Sequence, residues 1–183
     1  QYLMPIFYRI PGRVVPISQG VGSWLRKHRI NNSQLLHIPN PINIEQIEKF
    51  LQRQKRSSGK FKRYSPYILA VGRLNHQKGF DMLIEAFFKA DLDGIRLVIV
   101  GEGQERDALQ RLIDDYSLQS RVFLLGNYDE PYIAYHEAVC FVMSSRNEGW
   151  GNVIMEAMCC ECPVISFDCD YGPSEIIENG ESG

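Results

Sequence analysis

The sequence predicts an α/β fold: a doubly wound parallel sheet preceded by a smaller region of different character. Three observations predict it. Short apolar runs recur at residues 67–71, 96–100, 122–125, 139–143 and 164–167, as strands buried on both faces of a parallel sheet require. Amphipathic stripes separate them: Phe80, Leu83, Ile84, Phe87 and Phe88, then Leu109, Leu112, Ile113 and Tyr116, at the spacing of one helix face. The glycine-bearing and charged clusters follow the apolar runs, at strand carboxyl ends, where an open α/β sheet binds its ligands.

Taken in order, residues 14–17 and 34–38 read as short strands around a helix at 19–28. Pro39 and Pro41 interrupt regular structure. A helix at 44–56 follows, and Ser57-Ser58-Gly59 reads as a loop. From Pro66 onward strand and helix alternate. Right-handed crossovers then give the doubly wound sheet, with both aromatic stripes assigned to its core. The chain divides into residues 1–62 and residues 63–183.

Composition narrows the class. The chain has 183 residues, 44% hydrophobic and 23% charged, which supports a packed core and argues against disorder. No apolar run approaches the roughly 18 residues that cross a membrane, and the start carries no basic and apolar leader pattern. Met4 is not a natural start, so a piece of a longer protein is expected. Five cysteines stand at 140, 159, 160, 162 and 169. Their spacing lacks the two separated pairs of a zinc site, so they read as thiols of a reducing cytosol.

Basic residues concentrate at 49, 53, 55, 56, 60, 62 and 63, with no acidic residue among residues 49–63. Two readings stay open: a solvated linker with its helix face, or a peripheral contact with an anionic membrane. No nucleic-acid-binding motif accompanies the charge, so no nucleic-acid partner is expected.

The most informative stretch is Glu148-Gly149-Trp150-Gly151-Asn152-Val153-Ile154-Met155-Glu156. It follows an apolar run ending near Ser144, so a strand gives way to a glycine loop and a helix from about Asn152 that carries Glu156 in its second turn. Unpaired N–H groups and the positive dipole end at such a helix start suit a phosphate. Two carboxylates beside it can accept hydrogen bonds from sugar hydroxyls. Arg73 and Lys78 follow the 67–71 run, and a guanidinium fork with a movable ammonium suits phosphate oxygens. The competing reading makes them surface cations at a helix start, where cations are electrostatically disfavoured. His76, between them, could touch phosphate or face solvent. Gly101-Glu102-Gly103 falls short of a dinucleotide fingerprint because position 106 is Arg.

This constellation resembles the retaining glycosyltransferases of the GT-B fold, glycosyltransferase family 4. The paired glutamates, Val71-Gly72-Arg73-Leu74 with Lys78-Gly79, Val100-Gly101-Glu102-Gly103, and Pro163-Val164-Ile165 with Gly172-Pro173-Ser174-Glu175-Ile176-Ile177 occur in the family's order. Upstream, Val15-Pro16-Ile17-Ser18 and Ile38-Pro39-Asn40-Pro41-Ile42 resemble the crossing between the family's two domains.

The resemblance implies a Rossmann-like nucleotide-sugar domain at 63–183, cut short at its C-terminus, behind the tail of an acceptor domain and a linker at 1–62. It implies a sugar transferred from an NDP-sugar, expected to be a UDP-sugar, to a glycan or lipid-linked acceptor in cell-surface glycan synthesis. The setting would be cytoplasmic, with a place at the inner face of the cytoplasmic membrane left open. Arg73, Lys78, Gly149, Trp150, Gly151 and Asn152 would hold the diphosphate, Glu156 the ribose, and Asn127 and Tyr128 the base. Glu148 would act at the reacting centre, orienting the sugar and stabilising charge. Trp150 stands where relatives commonly have a smaller aromatic, which implies a different sugar-pocket shape. No cofactor or catalytic metal is expected. The family's catalytic histidine and glycine-rich acceptor loop belong to its other half, so this chain alone is expected not to transfer. The alternatives are a GT-B UDP-sugar epimerase and a non-catalytic nucleotide-sugar-binding relative.

Overall fold

The computed structural model of the chain describes residues 8, 10, 12–54, 60–129 and 131–182. Its five strands are β1 (Tyr67–Val71), β2 (Arg96–Val100), β3 (Val122–Leu124), β4 (Cys140–Met143) and β5 (Val164–Ser166). They form one parallel sheet in the order β3-β2-β1-β4-β5. The chain builds outward from β1 through β2 to β3, then crosses back to lay β4 against the other side of β1. The carboxyl ends of β1 and β4 therefore flank the switch point, the crevice where such sheets bind ligands.

Strand alternation sends side chains to two faces. Tyr67, Leu69, Val98, Val100, Phe141 and Met143 enter one core with Ile47, Tyr135, Ile154 and Ala157. These come from helices α2 (Ile44–Gln54), α5 (Tyr132–Glu137) and α6 (Asn152–Cys159). Ala70, Leu97, Ile99 and Val142 enter the other core. Helices α3 (Phe80–Ala90) and α4 (Arg106–Asp115) cover it through Phe80, Leu83, Ile84, Phe87, Leu109 and Ile113. One predicted stripe position departs from the core: Phe88 is 45% exposed. Its ring lies flat on Tyr116, at 4.4 Å and 6°, because it sits at the edge of the α3 stripe, where α3 meets α4 above the sheet.

The amino-terminal region is smaller. The two strands expected at 14–17 and 34–38 reduce to a single parallel bridge, Val14 with Leu35, and residues 32–34 turn as a 3₁₀ segment instead. A cluster of Val14, Leu25 and Ile30 is too small to sustain longer pairing. Helix α1 (Gln19–Lys27) is capped by the Ser18 hydroxyl, which accepts from the Val21 N–H at 3.1 Å. Its start is tied to the sheet domain: the Glu175 carboxylate on α7 (Pro173–Ile176) accepts from the N–H groups of Gln19 and Gly20 at 2.7 and 2.9 Å. Helix α2 runs from 44 to 54; the rest of its expected span, two of the basic residues and the 57–59 loop lie outside the described residues. No described helix is long and apolar enough to cross a membrane.

Candidate functional site

Two loops meet at the switch point. The first leaves β1 and runs through a 3₁₀ turn at His76–Lys78 into α3. The second leaves β4 and reaches α6 through Gly149 and Gly151. They are laced together. The Ser144 hydroxyl donates to the Lys78 carbonyl at 2.9 Å. The Arg146 N–H donates to the Gln77 carbonyl at 2.8 Å. Its guanidinium reaches the His76 carbonyl at 2.8 Å and forks onto Asp81 at 2.8 and 2.6 Å. Gln77 Nε2 donates to the Asn147 carbonyl at 3.0 Å. Gly79, at φ 63°, lies so close to the Ser144 carbonyl that a Cβ could not fit. The Arg146 guanidinium holds the Asp81 carboxyl below its usual range.

This lacing brings Lys78 to Glu148. Lys78 Nζ lies 2.5 Å from Glu148 Oε1, with the two side chains only 18% and 10% exposed. The Ser145 hydroxyl, itself buried, donates to the same oxygen at 2.7 Å. A cation expected to grip phosphate and a carboxylate expected at the sugar thus share one contact. Arg73, from the same loop, is exposed, and its side chain makes no hydrogen bond or ion pair among the described residues.

Eight positions on, Glu156 occupies a different environment. It lies in the second turn of α6, and its Oε2 accepts from the Tyr135 hydroxyl at 3.2 Å. Burial pushes its carboxyl up, and the phenol hydrogen bond partly opposes this. Glu156 also lines a polar cavity of about 170 Å³ with Asn43, Gln46, Tyr132 and Asn152. The start of α6 carries no side-chain cap; Gly151 precedes it. Asn152 Oδ1 instead accepts from Asn40 Nδ2 at 3.1 Å, linking the helix start to the segment before α2.

The remaining expected site residues sit around these groups. Trp150 is half-buried, and its indole N–H is buried with no acceptor among the described residues. Its neighbour Gly149 packs against Ile17 of the amino-terminal region. Asn127 is exposed beyond β3. The Tyr128 ring packs at 5.3 Å from Phe61 and carries the Lys60 ammonium 4.6 Å above its centre. His76 is exposed. Among the cysteines, Cys160 and Cys162 are buried, and burial pushes both thiols up to about 12. A cavity of about 520 Å³ lies apart from these groups, at the β5 edge beside Phe167 and Pro173.

Three contributors are invisible to motif reading: Ser145, Arg146 and Tyr135. Ser145 and Arg146 lie inside the loop preceding the paired glutamates, where the glycines and carboxylates draw attention. Tyr135 reads as one more aromatic of an apolar face.

The family model described as glycosyl transferases group 1 matches residues 52–183. An uncharacterized glycosyltransferase of Methanocaldococcus jannaschii is 36% identical over 146 residues, covering 76% of this chain and 35% of the relative. The Campylobacter jejuni N-acetylgalactosamine-N,N'-diacetylbacillosaminyl-diphospho-undecaprenol 4-alpha-N-acetylgalactosaminyltransferase is 30% identical over 184 residues, 100% of this chain and 48% of the relative. Among solved structures, a TarM mutant of S. aureus, in complex with fondaparinux, alpha-GlcNAc-glycerol and UDP, matches with a TM-score of 0.82 at 23% identity. That match covers 100% of this chain and 36% of the other, a likeness of fold. The chain spans between about a third and a half of the length of these relatives. On the family match across its sheet domain, the chain belongs to the glycosyl transferases group 1 family.

Proposed function

We propose that this chain is the donor-binding side of a retaining glycosyltransferase. It takes a UDP-sugar and passes the sugar to a glycan or lipid-linked acceptor in cell-surface glycan synthesis. The observation that carries the reading is the convergence, at the β1–β4 switch point, of Lys78, Glu148 and the uncapped start of α6, with Glu156 one turn further on. The relatives support the substrate classes: one is named for transfer to an undecaprenol-linked glycan, and a structural neighbour was crystallised with UDP.

On this reading Arg73 and Lys78 take the diphosphate oxygens. The backbone of Gly149, Trp150 and Gly151 and the first N–H groups of α6 add neutral donors. Glu156 holds the ribose hydroxyls, Glu148 meets the transferred sugar, and the base lies toward Asn127 and Tyr128. Cleaving the glycosidic bond builds negative charge on the departing diphosphate. Fixed cations there favour the transition state over the bound donor. Lys78 then exchanges the Glu148 carboxylate for phosphate, or bridges both. Acceptor and donor must be held together for transfer, and that positioning can supply roughly 7–11 kcal/mol of the barrier. The acceptor-binding half of the relatives is therefore expected to be required for turnover.

Calorimetric titration with UDP tests the reading. Arg73→Ala should weaken UDP by about 1.5–3 kcal/mol, as charge-assisted hydrogen bonds do. Glu148→Gln should leave UDP affinity nearly unchanged and cut transfer in the full-length enzyme. Equal UDP affinity in the wild-type chain and Arg73→Ala would remove the diphosphate assignment.

A further inference from the structure

Tyr135 is completely buried, yet it carries a hydroxyl where Phe would fill nearly the same space. A buried phenol must find a partner or lose the free energy of its hydration. Its partner is Glu156 Oε2 at 3.2 Å. Two contacts fix where that hydroxyl sits. Helix α5 spans only Tyr132–Glu137, too short to hold its own position. The buried Tyr67 hydroxyl, rising from β1, donates to the carbonyl of Ala134, next to Tyr135, at 2.6 Å. The Tyr135 ring meets Phe141 of β4 edge-on, at 5.3 Å and 67°. The sheet therefore sets the height of α5, and α5 sets the place of the phenol.

Only one carboxylate oxygen is taken. Glu156 Oε1 has no hydrogen-bond partner among the described residues and is not a buried orphan, while the residue lines the polar 170 Å³ cavity with Asn43, Gln46 and Asn152. We infer that Tyr135 is a positioning residue: it anchors one oxygen of Glu156 so that the other is presented, ionised, to a pair of adjacent ligand hydroxyls. The inference rests on the reading of Glu156 as the ribose-binding group. The phenol donates to the charged form of the carboxylate, so it opposes the upward push of burial. The other ionisable groups around the pair are Tyr132 and His136 on α5, Glu48 on α2, Cys159 on α6, and Cys160 and Cys162 just beyond it.

The test pairs ligands with variants. UDP and 2′,3′-dideoxyuridine diphosphate carry the same phosphates and differ only in the ribose hydroxyls. Tyr135→Phe should weaken UDP by about three- to tenfold, the effect of one hydrogen bond, and leave the dideoxy ligand unchanged. Its acid loss of UDP affinity should begin at higher pH than in the wild type, because Glu156 loses the donor that favours its charge. Unchanged binding of the dideoxy ligand also shows that the variant is folded. If it does not fold, Tyr135→3,5-difluorotyrosine keeps the ring and strengthens the donor, and the acid loss should move to lower pH. Glu156→Gln separates the two levels. If Glu156→Gln weakens UDP while the Tyr135 variants bind and titrate like wild type, the positioning role is overturned and the ribose reading stands. If Glu156→Gln binds UDP unchanged, the ribose reading itself falls.

Discussion

Glu148 and Glu156 are eight positions apart, one on the loop after β4 and one in the second turn of α6, and the fold treats them in opposite ways. Glu148 meets a cation and a hydroxyl on the same oxygen, from Lys78 and Ser145. Glu156 meets a neutral phenol and an apolar helix interface, and burial raises its carboxyl. The first carboxylate is already paired within the folded chain. The second is held in a place where being an anion is costly until a ligand shares it. Glu148 is thus paired twice on one oxygen within the folded chain, whereas Glu156 Oε1 has no hydrogen-bond partner among the described residues.

The largest expected effect breaks the first half of this contrast. Lys78→Met leaves the Glu148 carboxylate almost buried with only Ser145 to hold it. Removing one member of a buried pair costs about 3–5 kcal/mol, and the remaining water access of Lys78 places the loss near the lower end, about 3 kcal/mol. Urea denaturation at pH 7 measures it. A loss under about 0.5 kcal/mol would mark the contact as an ordinary surface pair.

Glu156→Gln tests the other half with two readouts of opposite sign. UDP affinity should fall by about 1.5–3 kcal/mol, the worth of hydrogen bonds to a charged group. The midpoint of thermal unfolding at pH 7 should rise, because a buried charge is replaced by a neutral amide that can still accept from Tyr135. A lower midpoint together with unchanged UDP binding would make Glu156 a structural residue.

The pH dependence follows from the same shift. The folded value of Glu156 lies above its unfolded value, so its contribution to stability is complete below the ordinary carboxylate range. That contribution is lost as pH rises through the raised value. Stability plotted against pH should therefore fall less steeply across that window in Glu156→Gln than in the wild type. Parallel profiles would assign the burial effect to another group.

The smallest effect concerns the lacing between the loops. Asp81 is held below its usual range by Arg146, so its contribution is present above the unfolded carboxylate value and lost as pH falls through the lowered one. The side chains are 42% and 25% exposed, and solvent screening limits the pair to under about 1 kcal/mol. Asp81→Asn should show that loss at pH 7 and none at a pH low enough to protonate Asp81. A pH-independent loss would place the effect in the neutral hydrogen bonds of Arg146 instead.

Much of the molecule is determined by the sequence alone, because the physics concerned is local. Two-faced burial demands continuous apolar strands, so β1 and β2 are legible at their true bounds and β3, β4 and β5 within one residue. Helical periodicity marks α3 and α4, and the glycines before Asn152 mark the start of α6. The charged groups of the candidate site are legible for the same reason, since each follows a strand end. Tertiary structure alone decided who meets whom. The crossover after β3 lays β4 against β1, which brings Lys78 to Glu148 across seventy positions of chain. It also lets Arg146 hold Asp81, and seats Tyr135 against Glu156 through the packing of α5 on α6. Phe88 shows the same limit, since a stripe gives the direction of a side chain and not what covers it. The weak pairing of Val14 with Leu35 does too. Strand propensity there had only the small cluster of Val14, Leu25 and Ile30 to pack against, and a strand with so little cover gains too little burial to offset the entropy of ordering it.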